Sequence, residues 1–351
     1  MTEQNTPALI IVGGFLGAGK TTLILKAAEL LRKHDKRVGV ILNDQDAGLV
    51  DTEHAVARDV IAREVTDGCF CCRFSELVAA TGDLMTYRPD VIFAEPVGSC
   101  IDLTATVMRP LQTIHPGQFR IAPLTVLLDP DSADQLRDDR LDPNIRYLLA
   151  NQLAEADLVC TTKQDLHRGP VAASVPIDFQ LSGKTGFGVE SWLHEMLQPT
   201  RVVGAHLLDV NYDRYAEAEA ALGWLNLHAN IRLPLPRTPA LLCGPLLDEL
   251  EQQLSKAGIV IAHLKIFDRT ATAWVKASVS TNGGEPVPEG DLMADPAAEH
   301  EFALNLRAVA DPDHLRRVVL AGLDKIAGQV EIRHLRAFRP PAPKPEHRLV
   351  S

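Results

Sequence analysis

The stretch Gly14-Phe15-Leu16-Gly17-Ala18-Gly19-Lys20-Thr21 fits the pattern G-x-x-x-x-G-K-[ST] and stands between two segments of different periodicity. Before it, residues 8–14 are a short, unbroken apolar run ending in glycine, which predicts a buried strand. After it, "TTLILKAAELLRKH" (21–34) places apolar residues at helical spacing and ends in a basic turn, which predicts a helix. A glycine-rich turn in that setting wraps a phosphate with inward-pointing backbone N–H groups at the positive end of the helix. Lys20 then reaches the outer phosphates and the Thr21 hydroxyl ligates Mg²⁺, with Gly14, Gly17, Ala18, Gly19 and Thr22 on the same cradle.

The alternation of strand and helix continues. "RVGVILND" (37–44), "DVIFAE" (90–95), "LTVLLD" (124–129), "LVCTT" (158–162) and "IDFQLS" (177–182) read as strands, with helical patterns at 75–87 and 144–156. Such interleaving predicts an α/β P-loop NTPase with a mainly parallel sheet over residues 1–200. The pattern changes after Pro199. Residues 201–221 read as a polar connector, and 222–338 as a smaller α+β domain resembling a ferredoxin-like split βαβ with an added strand. The proline-rich tail 339–351, "RPPAPKPEHRLVS", is expected to be disordered.

Composition narrows the partners. A net charge of -11 argues against nucleic-acid or anionic-membrane binding, and the short N-terminal apolar run has no basic leader, so neither a secretory signal nor a membrane anchor is expected. The six cysteines include three scattered in apolar surroundings, Cys100, Cys160 and Cys243, consistent with free thiols in a reducing cytoplasm.

Further motifs specify the ligands. Thr162-Lys163-Gln164-Asp165 follows a late strand. A carboxylate there accepts both hydrogen bonds of a guanine edge while the lysine stem lies along the ring, and adenine offers no such donor pair. Ser182, in "LSGKTG", occupies the place of a second base-contacting loop. Two acidic stations end the second and third strands of this reading, Asn43-Asp44-Gln45-Asp46 and Glu95-Pro96-Val97-Gly98. Carboxylates at such strand ends face the ligand crevice of an open α/β sheet. Asp44 and Glu95 are candidates for Mg²⁺, the Gly98 N–H for the γ-phosphate, and Asp46 for orienting the attacking water. Without an evident glutamine or arginine finger, intrinsic GTP hydrolysis is expected to be slow and to want dimerisation or a partner.

Half of the cysteines lie in one turn, Gly68-Cys69-Phe70-Cys71-Cys72. A disulfide is disfavoured by compartment and ring strain, and a redox pair by the third, crowding thiol. A metal cradle for Zn²⁺, or another soft divalent ion such as Co²⁺, fits the donor set; a cluster of buried apolar thiols is the alternative. The adjacent Arg73 and the start of a helix near Ser75 are expected to depress the thiol pKa values. Three ligands from one turn leave a fourth position for water, Glu64, a second subunit or a client's ligand.

Taken in order, "GGFLGAGKTT", "GCFCC", the Glu-x-x-Gly of "AEPVG" and "TKQD" resemble the CobW-type metallochaperone GTPases, relatives of the urease and hydrogenase nickel-insertion GTPases. The resemblance is strong over about residues 8–200 and rests on architecture alone beyond them. It implies GTP-driven handling of Zn²⁺ or a similar ion for a client metalloprotein, with metal on Cys69, Cys71 and Cys72. The chain departs from the family at Asn43-Asp44-Gln45-Asp46, where Asn-Glu-Phe-Gly is usual, and at Glu95-Pro96-Val97-Gly98, where Glu-Thr-Thr-Gly is usual. A small-molecule phosphotransferase and a non-catalytic GTP-binding metal sensor are the rival readings. Oligomeric state, including a nucleotide- or metal-dependent homodimer, stays open.

Overall fold

The computed structural model describes residues 6–46, 50–58, 60–139, 141–167, 171, 175–198 and 200–350. These divide into two compact units, each with its own sheet.

The first unit is built on β1 (Ala8–Gly14), β2 (Val38–Asn43), β3 (Ile61–Val65), β4 (Val91–Glu95), β5 (Arg120–Ile121), β6 (Thr125–Leu128), β7 (Leu158–Thr161) and β8 (Phe179–Gln180). Strand order is β3-β2-β4-β1-β6-β7-β8, with β5 beside β1, and the pairings are parallel. β1 and β2 are buried along their whole length, as continuous apolar runs in a sheet covered on both faces must be. α1 (Lys20–Lys33) and α3 (Phe74–Met85) belong to this unit, as do α4 (Arg109–Ile114), α5 (Pro130–Arg137), α6 (Pro143–Glu155), α7 (Val189–Leu197) and α8 (Tyr212–Ala220) up to Ala218. Asp129 and Asp142 cap α5 and α6 by accepting backbone N–H groups, each followed by proline at the first helical position. The decisive consequence of the strand order is local. β4 lies between β1 and β2, with Ile11 beside Ala94 and Leu42 beside Glu95, so the acid ending β4 lands next to the phosphate loop.

The second unit is an antiparallel sheet in the order β12-β11-β10-β13-β9-β14, formed by β9 (Gly223–Arg237), β10 (Val260–Arg269), β11 (Trp274–Val279), β12 (Val287–Gly290), β13 (Ala297–Val309) and β14 (Gln329–Phe338). α9 (Pro239–Lys256) and α10 (Pro312–Leu323) complete two βαβ halves, and their apolar faces bury Leu246, Leu250, Leu315 and Val319 against Leu227, Leu264 and Leu304 of the strands. Without β11 and β12 the order is the 2-3-1-4 of a ferredoxin-like split βαβ; the addition is a pair of strands rather than one.

Two segments depart from the expected linear division. α2 (Val50–Ala57), which follows the Asn43–Asp46 loop closely in sequence, belongs to the second unit. There Asp51 pairs with Lys265, the Val50 N–H donates to Asn305, and His54 sits against Lys276 and Glu289. The proline-rich tail corrects the expectation of disorder. Residues 342–350 belong to the first unit and make specific contacts there. Prolines already hold the backbone extended, so little entropy opposes docking, and inward-facing residues alternate with exposed ones. The expected connector contains α8.

Candidate nucleotide and metal site

The phosphate loop leaves β1 at Gly14 and enters α1 at Lys20. Gly14, Gly17 and Gly19 have φ of 129°, 81° and 89°, conformations that disfavour a side chain. At Gly14 a Cβ would also lie 2.6 Å from the Leu127 carbonyl oxygen on β6. The Lys20 ammonium donates to the carbonyls of Gly14 (2.9 Å) and Phe15 (3.3 Å) and lies 4.0 Å from Glu95 Oε1. Thr21 Oγ1 donates to the same Glu95 oxygen at 3.0 Å. Lys20, Thr21 and Glu95 are all buried, and a hydroxyl beside a carboxylate is the hard-oxygen donor set that Mg²⁺ takes. Gly98 packs on the loop so closely that a Cβ would lie 2.7 Å from Leu16 Cδ2 and 3.0 Å from the Leu16 nitrogen.

The residues expected to read the base converge as well. Ser182 is buried and donates to Asp165 Oδ1 at 2.6 Å, which aims the carboxylate. Lys163 adopts φ of 56°, strained for a lysine, with its ammonium 3.5 Å from Asp129. Two contacts escaped the sequence reading. Thr162 Oγ1 donates to the Ala18 carbonyl at 2.9 Å, and Gly183 lies so close to α1 that a Cβ would stand 2.8 Å from the Leu23 nitrogen. Both sit inside motifs already visible, TKQD and LSGK. Asp44 accepts the Gln45 N–H at 2.6 Å, and Asp46 is buried at the end of the same loop.

The thiols converge. Cys69 Sγ lies 2.9 Å from Cys71 Sγ and 3.3 Å from Cys72 Sγ, and the last two are 3.6 Å apart. A tight turn brings them together, with the N–H groups of Cys72 and Arg73 both bonded to the Cys69 carbonyl. Tetrahedral zinc with bonds of about 2.3 Å separates sulfurs by about 3.8 Å, so a small expansion of this triangle accepts the ion. Among the described residues no carboxylate or imidazole joins the group, and Glu64 is not the fourth ligand in this arrangement.

Asn43, the last residue of β2, builds the turn. Its amide nitrogen donates to the carbonyls of Val65 (2.8 Å) and Gly68 (2.7 Å), and its oxygen accepts the Phe70 N–H at 2.8 Å. The expected electrostatics need correction. The thiols of Cys100, Cys71 and Cys72 point at Cys69 and hold it well below the usual thiol range. The proton Cys71 shares with Cys69 pushes it well above, and Cys72 is pushed up to about 12 for the same reason. Arg73 pairs with Glu76. Neighbouring thiols rather than an arginine thus favour the thiolate, and they do so at Cys69 alone.

Residues 8–175 match the model of the CobW/HypB/UreG nucleotide-binding domain. Zinc chaperone CobW of Sinorhizobium sp is 33% identical over 191 residues, a match covering 47% of this chain and 52% of that protein. Zinc chaperone YeiR of Escherichia coli K12 is 29% identical over 240 residues, covering 65% and 64%. The chain thus spans between half and two thirds of these relatives. Among solved structures, Zn(II)-bound YjiA GTPase from E. coli covers 90% of this chain at 14% identity and a TM-score of 0.33, with 98% of its own length matched. HypB from Helicobacter pylori in complex with nickel covers 57% at 20% identity and a TM-score of 0.38, with 93% of its own length matched. No described helix is long and apolar enough to cross a membrane. The phosphate loop, the Glu95–Gly98 station and the TKQD loop all lie within residues 8–175, the segment that matches the CobW/HypB/UreG nucleotide-binding domain.

Proposed function

We infer that this chain is a GTP-hydrolysing metallochaperone that takes a divalent transition ion, zinc first, on Cys69, Cys71 and Cys72 and passes it to a client metalloprotein. One observation carries the reading: the Asn43 side chain holds three backbone groups of the thiol turn while its own backbone leads into the Asp44–Asp46 loop beside the phosphate crevice. A shift of the β2 end therefore changes the spacing of the sulfurs.

Within the crevice, Lys20 exchanges its loop carbonyls for the outer phosphates of GTP, and Asp165, aimed by Ser182, selects guanine. Thr21 and Glu95, with Asp44 as a further candidate, would hold Mg²⁺, which supplies charge neutralisation at the β- and γ-phosphates. The Gly98 N–H stands where the γ-phosphate ends, and Asp46 is the candidate for orienting water. Loss of the γ-phosphate frees both loops, and metal affinity changes with them. The coupling is reciprocal by linkage. Zinc titrations with GDP and with a non-hydrolysable GTP analogue test this directly. At least about a fivefold difference in zinc affinity is expected, the low end of allosteric couplings; equal affinities remove the switch, and a Cys69/Cys71/Cys72→Ser triple variant that keeps its zinc removes the site.

A further inference from the structure

The thiol turn is not open to solvent on every side. Residues 343–349 run extended beside it, with Pro343, Pro345, His347 and Leu349 turned inward and Lys344, Glu346 and Arg348 exposed. The Lys344 N–H donates to Cys72 Sγ at 3.1 Å, and the Glu346 N–H to the Cys71 carbonyl at 2.9 Å. The Glu346 carboxylate takes the Ser75 N–H (3.0 Å) and hydroxyl (2.5 Å) at the start of α3, where the helix end favours negative charge. His347 meets the Phe74 ring edge-on at 5.1 Å. Arg348 pairs at 2.7 Å with buried Asp102, four residues beyond Gly98, and the Leu349 N–H donates to the Ala105 carbonyl at 2.8 Å.

We propose that Lys344–Leu349 is a removable cover of the thiol site, which leaves Cys72 half-buried while docked and opens it fully to metal ions and reagents when it lifts. Its construction favours release. Pro343 and Pro345 lack backbone donors, so the segment is held by three backbone N–H groups and the side chains of two exposed residues rather than by core packing. Its two anchors differ in what they sense. Ser75 follows the thiols, whereas Asp102 belongs to the stretch leading away from the Gly98 station. The cover therefore ties the metal turn to the loop that meets the γ-phosphate. As a metal gate it rests on the chaperone reading above; as a barrier over Cys72 it does not.

The test separates the two. In the reduced, metal-free chain, Cys72 is the half-buried thiol and the other five are buried. Iodoacetamide labelling mapped by mass spectrometry should therefore report on it. A Glu346→Ala/Arg348→Ala double variant should label at Cys72 at least about fivefold faster than wild type and release zinc to a chelator faster by a similar factor, as an opening equilibrium shifted by lost side-chain contacts would give. Lys344→Pro, which deletes the N–H donor to sulfur, should give a smaller increase in the same direction. GTP binding checks folding, and should the double variant fail it, Glu346→Gln, which leaves the Asp102 pair intact, decides by the same labelling. Labelling of Cys72 unchanged within twofold overturns the cover. A wild-type chain that binds no zinc overturns the metal reading, and the labelling rate then decides the cover alone.

Discussion

The phosphate cradle and the thiol turn sit in one unit and are built on opposite principles. The cradle is fixed by backbones in contact. Gly14 touches β6, Gly98 touches the loop at Leu16 and Gly183 touches α1, each too close for a Cβ. The thiol turn is fixed by one side chain, Asn43, by its own sulfurs, and by a tail that arrives from far along the sequence. A site of the first kind is pre-formed and tolerates little change; a site of the second kind has a geometry that its supports can alter. That contrast suits the proposed function, in which nucleotide binds a rigid pocket and regulates a softer one.

The largest effect expected from it lies in the corner proposed to read the base, the place where the rigid site depends on a side chain. Asp165→Asn replaces a double acceptor with a group that presents a donor to guanine's own donors. A site built for polar recognition discriminates by about 10⁴ or more, so most of the preference for GTP over ATP should vanish. Zinc binding should be untouched. Competition between the two nucleotides is the measurement, and an unchanged preference would show that guanine is read elsewhere.

A second break concerns protons. Without metal the pKa values of Cys71 and Cys72 are raised and that of Cys69 is lowered, so the expected proton count on uptake is that of Cys71 and Cys72. Zinc needs three thiolates, so its uptake releases two protons. Affinity should climb about a hundredfold per pH unit through the neutral range, and for Cys72 the rise persists toward its value of about 12. Chelator competition at several pH values gives the slope. A slope of three would place a proton on Cys69 as well. Nucleotide affinity in the same buffers is the contrast, having no thiol to deprotonate.

How much of this was legible in the sequence follows the same division. The phosphate loop, α1 and the TKQD loop are local patterns, and each was readable from residues within ten positions of one another. Glu95 was reachable because strand ends face the crevice, although its 3.0 Å contact with Thr21 required β4 to lie beside β1. Asn43 lies within a visible motif, but its role depends on carbonyls 22 and 25 positions away and leaves no local sign. The Asp51–Lys265 pair, 214 residues apart, gave no local sign that α2 belongs to the second unit. The order of the tail is not legible in composition, which measures the cost of ordering a chain and says nothing of a partner that meets it. The thiol electrostatics were misread because Arg73 is already taken by Glu76, leaving other sulfurs as the nearest donors to Cys69.

The smallest effect tests the joint between the two regions. Asn43→Ala leaves the Val65 and Gly68 carbonyls and the Phe70 N–H without their partner in a buried place, which costs about 1–3 kcal/mol for each group that water cannot reach. The turn relieves that cost by loosening, and a loosened second support typically lowers metal affinity about 10- to 100-fold. The phosphate loop does not touch this side chain through any of these three bonds, so GTP affinity should move by less than about threefold, as for a substitution outside the binding contacts. The informative quantity is the difference in zinc affinity between GDP and the GTP analogue. If Asn43 is the lever, that difference shrinks toward zero in the variant even though both ligands still bind. If zinc affinity drops while the difference survives intact, Asn43 only shapes the turn. The nucleotide signal must then travel by the Gly98–Asp102 stretch, where Arg348 of the cover is anchored and where Cys100 reaches Cys69.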